Sequence, residues 1–142
     1  MATVFESAAD LKAAEGNGLG TSEWLEVDQE RINWFADATG DHQWIHVDSE
    51  RARTESPFKQ TVAHGYLTIA LIPTLLPQLL LVEKVSMVVN YGIEKLRLPS
   101  PVPAGGRVRM SAEIKKVRKI PGGGARVSIA VTIEVEGSAK AA

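Results

Sequence analysis

Between His64 and Leu80 the chain reads H-G-Y-L-T-I-A-L-I-P-T-L-L-P-Q-L-L, a run in which nearly every residue is apolar and no polar face recurs at helical spacing. Such a run specifies a helix enclosed by protein on most sides. Pro73 and Pro77 each remove a backbone donor, so a kink or break is expected near Ile72 to Leu76. From Leu67 to Val82 the apolar stretch is roughly 16 residues long, short of the ~20 that span a bilayer. With two prolines and Gln78 inside it, it reads as a core helix and not as a membrane anchor.

Downstream of this helix the character changes to strand-like alternation rich in Val and Ile, over Ser86 to Tyr91, Glu94 to Leu98, Arg107 to Val117 and Arg126 to Val135. Pro99 to Gly106 separates two of these runs, and Pro121-Gly-Gly-Gly marks a hairpin. Upstream, Ser7 with Asp10 three residues later reads as a helix N-cap pair, and Gly16 stops the short helix that follows. A short strand is expected between Thr21 and Val27. Asp28 caps a second helix, whose Ile32, Phe35 and Ala36 recur at three-to-four spacing and which Gly40 terminates. Past an irregular stretch, Asp48 caps a third, closed by Pro57. The expected architecture is α+β: an antiparallel sheet of four or five strands curled around one long apolar helix. Such a sheet has two edges, which invite a second copy to pair, so a homodimer with a continuous sheet is expected.

The 142 residues correspond to a single domain over 1–142. With 44% hydrophobic and 23% charged residues the composition is that of a globular protein. Cysteine is absent, which removes disulfides, thiolate nucleophiles and cysteine-based metal sites and leaves oxygen and imidazole chemistry. The net charge of -1 gives no electrostatic reason to expect a nucleic-acid partner. It conceals an asymmetry: residues 1–60 carry 12 acidic and 5 basic side chains, residues 61–142 carry 5 and 11. The basic run Lys115, Lys116, Arg118, Lys119 reads as protection of a sheet edge, with contact to ligand phosphates as the alternative. No basic segment followed by an apolar stretch opens the chain, so the cytoplasm is the expected compartment and no membrane association is expected.

Three histidines, His42, His46 and His64, fall within 23 residues, and Asp41 adjoins the first. On an ideal helix Asp41 and His46 diverge by about 140°, but Gly40 and the irregular composition point to a loop in which they can converge. An aspartate paired with an imidazole suits general acid-base work, because imidazole titrates near neutrality and a carboxylate can orient it or take a proton itself. The i, i+4 spacing of His42 and His46, completed by Asp41 or His64, offers a competing metal reading; no metal is assigned. No G-x-S-x-G turn exists, which argues against a serine hydrolase. His64-Gly65 opens the long helix, where a free N-H at Gly65 can meet a developing oxyanion.

The stretch F-A-D-A-T-G-D-H-Q-W-I-H-V-D at 35–48, followed by T-V-A-H-G-Y-L-T at 61–68, resembles the MaoC-like (R)-specific enoyl-CoA hydratases, from about residue 5 to Ser138. The resemblance implies the hot-dog fold. It also implies that Asp41 and His46 are the catalytic pair holding one water, and that the Gly65 N-H binds the thioester oxygen. The implied reaction is syn hydration of a trans-2-enoyl-CoA to an (R)-3-hydroxyacyl-CoA, with no cofactor beyond the coenzyme A of the substrate. Gln43, Trp44, His64 and Tyr66 are the expected substrate-binding neighbours, and Leu67, Ile69, Ile72 and Leu75 are candidates for an acyl pocket or plain core. Gln43 and Trp44 stand where many members have Asn and Pro, and Pro73 where some carry a serine. The family sheet normally closes with a further strand after Val135, where this chain reads G-S-A-K-A-A, so the sheet is expected to lack its last strand. An acyl-CoA thioesterase and a non-catalytic acyl-CoA-binding module are the alternatives.

Overall fold

The computed structural model describes residues 2–142. In chain order the strands are β1 (Thr3–Phe5), β2 (Gly18–Thr21), β3 (Leu25–Val27), β4 (Leu80–Val82), β5 (Gly106–Lys119) and β6 (Ala125–Val135). The α-helices are α1 (Gln29–Thr39), α2 (Trp44–Val47), α3 (Ser49–Glu55), α4 (Gly65–Ala70) and α5 (Ile72–Leu75), and 3-10 helices cover Ala8–Ala14 and Leu76–Gln78. Strands β2, β5 and β3 form an antiparallel path, and β6 pairs with β5. The residues gather into two compact units, one built from the chain up to Glu23 with Pro73–Arg97 and Met110–Thr132, the other from Trp24–Ile72, Leu98–Arg109 and Ile133–Ala142.

In the first unit, the Ser7 N-H and hydroxyl both donate to the Asp10 carboxylate, at 3.0 and 2.9 Å, which starts the 3-10 helix at the expected place. Leu11, Leu19, Leu75, Leu79, Met110 and Ile114 are buried here. Strand β1 pairs in parallel with β4, Val4 opposite Leu81. This pair was not expected, because Leu80–Val82 continues the apolar run of the helix and carries no alternation of its own. The glycine turn joins β5 to β6 as expected: Gly122 and Gly123 hold φ of 93° and 91°, conformations that cost a side chain dearly, and the Ile120 N-H donates to the Gly124 carbonyl at 3.1 Å.

The stretches Ser86 to Tyr91 and Glu94 to Leu98 correct the expectation of strands. Both lie outside any strand, with bends at Ser86 and Glu94, and with Met87 72%, Val88 83% and Tyr91 80% exposed. Alternating hydrophobicity encodes a strand only where a neighbouring ladder supplies hydrogen bonds and a buried face, and among the described residues this chain supplies neither to 86–98.

In the second unit, Val27, Ile32, Ala36, Ala52, Leu67, Val102 and Val108 are buried. Leu25 to Val27 pair with Val108 to Gly106. Helix α1 has the expected ends: the Asp28 carboxylate accepts from the Arg31 N-H at 2.8 Å, and Gly40 closes it with φ of 82°. Asp48 caps α3 in the same manner, at 3.0 Å. The segment before α4 is held straight by backbone bonds from Ala63 N-H to the Val102 carbonyl (2.8 Å) and from Ala104 N-H to the Thr61 carbonyl (3.0 Å). The long apolar helix is not continuous: α4 ends at Ala70, a residue before α5, and Leu76–Gln78 tightens to 3-10 around Pro77. The prolines cause the break, at the expected place. After β6 the chain turns at Gly137 and folds back, so that the Ala142 N-H donates to the Ile133 carbonyl at 2.8 Å.

Candidate active site

The site lies wholly within the second unit. Gly40 stops α1 and hands the chain to Asp41, which sits in a short irregular link, while His46 rides on the single turn α2 instead of the expected loop. Two hydrogen bonds fasten that turn to the straight segment before α4: the Val62 N-H donates to the Ile45 carbonyl at 3.0 Å, and His46 Nδ1 lies 2.7 Å from the Val62 carbonyl. A carbonyl only accepts, so the His46 proton sits on Nδ1 and Nε2 is left as a bare lone pair. Gln29, in the first turn of α1, donates to the His46 carbonyl at 2.7 Å and accepts from the Thr61 hydroxyl, tying the helix to both. Sequence reasoning missed Gln29 and Thr61; nothing local in either residue signals the pairing.

His64 caps α4 and places its ring against that of His46, centroids 3.9 Å apart at 25°, while Phe35 of α1 packs on it at 4.8 Å. His64 Nε2 lies 2.9 Å from the backbone carbonyl of Asp41. One carboxylate oxygen of Asp41 and one nitrogen from each of His46 and His64 fall within 4.8 Å of one another. Two hydrogen bonds of about 2.8 Å reach up to about 5.6 Å, so one water can bridge the carboxylate and the His46 imidazole. His46 is 7% exposed and Asp41 is exposed. Burial pushes the His46 pKa below its ordinary value and the adjacent His64 adds to this, against opposing pulls from the Val62 carbonyl and Asp41. The neutral base form is thereby favoured.

His42 is not brought to this cluster. It turns outward to the Asp37 carboxylate, 3.0 Å away, whose hydrogen bond raises its pKa. The spacing of His42 and His46 is therefore not a shared ligand set. The set that does converge, Asp41, His46 and His64, has two imidazoles stacked nearly face to face, which directs their lone pairs along near-parallel planes and not toward one point.

The remaining expected residues are placed as follows. The Gln43 N-H donates to the Asp41 carboxylate at 3.3 Å. Trp44 is half-buried beneath the Arg51 guanidinium, 4.3 Å from its ring. Tyr66 is 75% exposed and His64 2% exposed. The Gly65 N-H has no backbone acceptor among the described residues. A side chain at Gly65 would put its Cβ 2.5 Å from Leu98 Cδ1, so the missing side chain is space that Leu98 fills. A cavity of about 350 Å³ adjoins this contact, walled by Phe58, Ala63, Gly65, Thr68, Leu98 and Val102 among others; Asp41 and His46 are outside its walls. Leu67 and Leu75 are buried core.

Residues 10–137 match the model of the MaoC like domain. The chain belongs to this family. It is 51% identical over 138 residues, 97% of its own length and 91% of the relative's, to 3-hydroxyacyl-thioester dehydratase Z of Mycobacterium tuberculosis. Among solved structures it resembles a monoamine oxidase regulatory protein from Archaeoglobus fulgius, at TM-score 0.76 and 20% identity over 96% of this chain and 88% of that one. It also resembles an unliganded (R)-hydratase from Pseudomonas aeruginosa, at TM-score 0.68 and 24% identity over 89% and 74%. The fold is thus the hot-dog fold, with an open sheet, and the chain is an enzyme of the hydro-lyase class. Among the described residues no helix is long and apolar enough to cross a membrane.

Proposed function

We propose that this member of the MaoC-like family is an (R)-specific enoyl-CoA hydratase, converting trans-2-enoyl-CoA and water to (R)-3-hydroxyacyl-CoA and running in reverse as a dehydratase. The observation that carries the reading is the approach of the Asp41 carboxylate to the buried His46 within bridging distance of one water, with burial lowering the His46 pKa. In the reaction the pair takes a proton from that water as its oxygen bonds to C3. The C2–C3 π electrons move toward the thioester oxygen, where the free Gly65 N-H stabilises the growing charge. The proton then returns to C2 from the same face, which makes the addition syn. Hydration neither oxidises nor reduces the substrate, so coenzyme A enters only as part of the thioester. The similarity to a 3-hydroxyacyl-thioester dehydratase supports the substrate class.

The acting form is proposed to be a cytoplasmic homodimer. The exposed apolar side chains of Val85 to Leu98, which lie outside any strand, are what a second copy would cover.

Loss of the conjugated-enoyl absorbance of crotonyl-CoA and longer homologues tests the activity, with thiol release run in parallel. Wild type is expected to bleach the enoyl band without releasing thiol, and Asp41→Asn and His46→Gln are each expected to lose about a hundredfold or more. Thiol release would point to a thioesterase, binding without turnover to an acyl-CoA module, and full activity in both variants would remove the pair from the chemistry.

A further inference from the structure

We propose that His64 is a positioning residue for the Asp41–His46 pair, a buried clamp that fixes the carboxylate's backbone with one edge and the His46 ring plane with its face. The inference rests on the hydration reading of that pair. His64 Nε2 lies 2.9 Å from the Asp41 carbonyl, which can only accept, so Nε2 carries the proton. The other ring nitrogen, Nδ1, is buried without a hydrogen-bond partner in a residue 2% exposed. A buried polar atom left unpaired destabilises a fold, so stability alone gives no reason for a histidine here; an apolar ring would fill the place at less cost. What an apolar ring cannot do is donate to the Asp41 carbonyl.

The face of the ring has the second task. His46 is pinned at Nδ1 by the Val62 carbonyl and supported from one side by His64 at 3.9 Å and 25°. A single hydrogen bond leaves an imidazole free to swing about it; the stack removes that freedom and fixes where the His46 Nε2 lone pair points. Both imidazoles thus have their proton assigned by a backbone carbonyl, and Asp41 reaches the pair from a link that His64 itself holds. Among the described residues the titratable groups that act on His46 are Asp41 and His64; Gln29 of α1 bonds its carbonyl, the Val62 carbonyl its ring, and Phe35 of α1 packs on His64.

His64→Phe keeps a stacking ring and removes the donor, whereas His64→Gln keeps a donor and removes the ring. Both are expected to lower kcat about tenfold to a hundredfold with KM changed less than about twofold, because a ring only 2% exposed offers substrate little surface, against the expectation of a substrate-binding His64. The thermal midpoint of His64→Phe is expected to stay at or above that of wild type, the unpaired nitrogen being gone. Side-chain nitrogen resonances of the wild type are expected to show His64 protonated at Nε2 and His46 at Nδ1. Wild-type kcat in His64→Phe would overturn the proposal, as would a His64 proton on Nδ1. An inactive wild type would refute the hydratase reading, while the nitrogen spectra would still decide the clamp.

Discussion

His46 and His42 lie four residues apart and titrate in opposite directions for separate reasons. Burial lowers the pKa of His46, and the Asp37 carboxylate raises that of His42. For His46 the folded chain favours the neutral ring, so its contribution to stability is present above the unfolded value of about 6.5 and is lost as pH falls toward the depressed folded value. For His42 the contribution is present below about 6.5 and is lost as pH rises through the raised value. A base whose pKa burial lowers gives a definite kinetic expectation. The acidic limb of kcat/KM for enoyl hydration should fall below pH ~6.5, as a profile measured between pH 4.5 and 8 would show; a limb above that would contradict a buried His46 as the acting imidazole. That the chain leaves α1 before Asp41 was legible in the sequence, because Gly40 signals the helix end; the single turn that carries His46 was not. Gln29 and Thr61 were not, because their pairing joins residues 32 positions apart, and only folding brings those together.

Helix α1 shows how a short element supports the site. It delivers Asp41 through its terminal glycine, packs Phe35 on His64 and reaches His46 through Gln29. Its start depends on one exposed carboxylate. Asp28→Ala should cost about 1 kcal/mol and lower the thermal midpoint by a few degrees, measurable by calorimetry; an unchanged midpoint would mean that packing alone sets the helix boundary. Caps, terminal glycines, the glycine hairpin and strands β5 and β6 were readable because each rests on local geometry. The helical core run was legible as to where it breaks, since a proline's missing donor is a local fact. One pairing was missed and one reading failed for the same reason: the β1–β4 pairing and the unpaired state of 86–98 depend on which chain lies alongside, and no periodicity encodes a neighbour.

On the scale of the molecule, the exposed run from Val85 to Leu98 is the feature one copy does not account for. If a second copy covers it, as proposed, sedimentation should give twice 15.3 kDa, and charges placed by Val88→Asp with Tyr91→Asp should convert the protein to monomers. A wild-type monomer at micromolar concentration would refute the dimer. Leu98, at the end of this run, also packs on Gly65, so the paired variant should report on turnover as well as on assembly.

By itself the amino-acid sequence determined the local grammar: where helices begin, where glycine and proline end them, which strands form the β5–β6 hairpin, and that an aspartate and a histidine flank an irregular link. Its likeness to the MaoC-like family implied the shared role that is proposed for them. Tertiary structure alone decided that His64 lies beneath His46, that His42 turns away to Asp37, and that the proton of each buried ring belongs to a particular nitrogen. The physical reason is range. Capping and turn preferences act over a few residues, whereas stacking, burial and hydrogen bonds to distant carbonyls exist only once segments remote in the chain share one place.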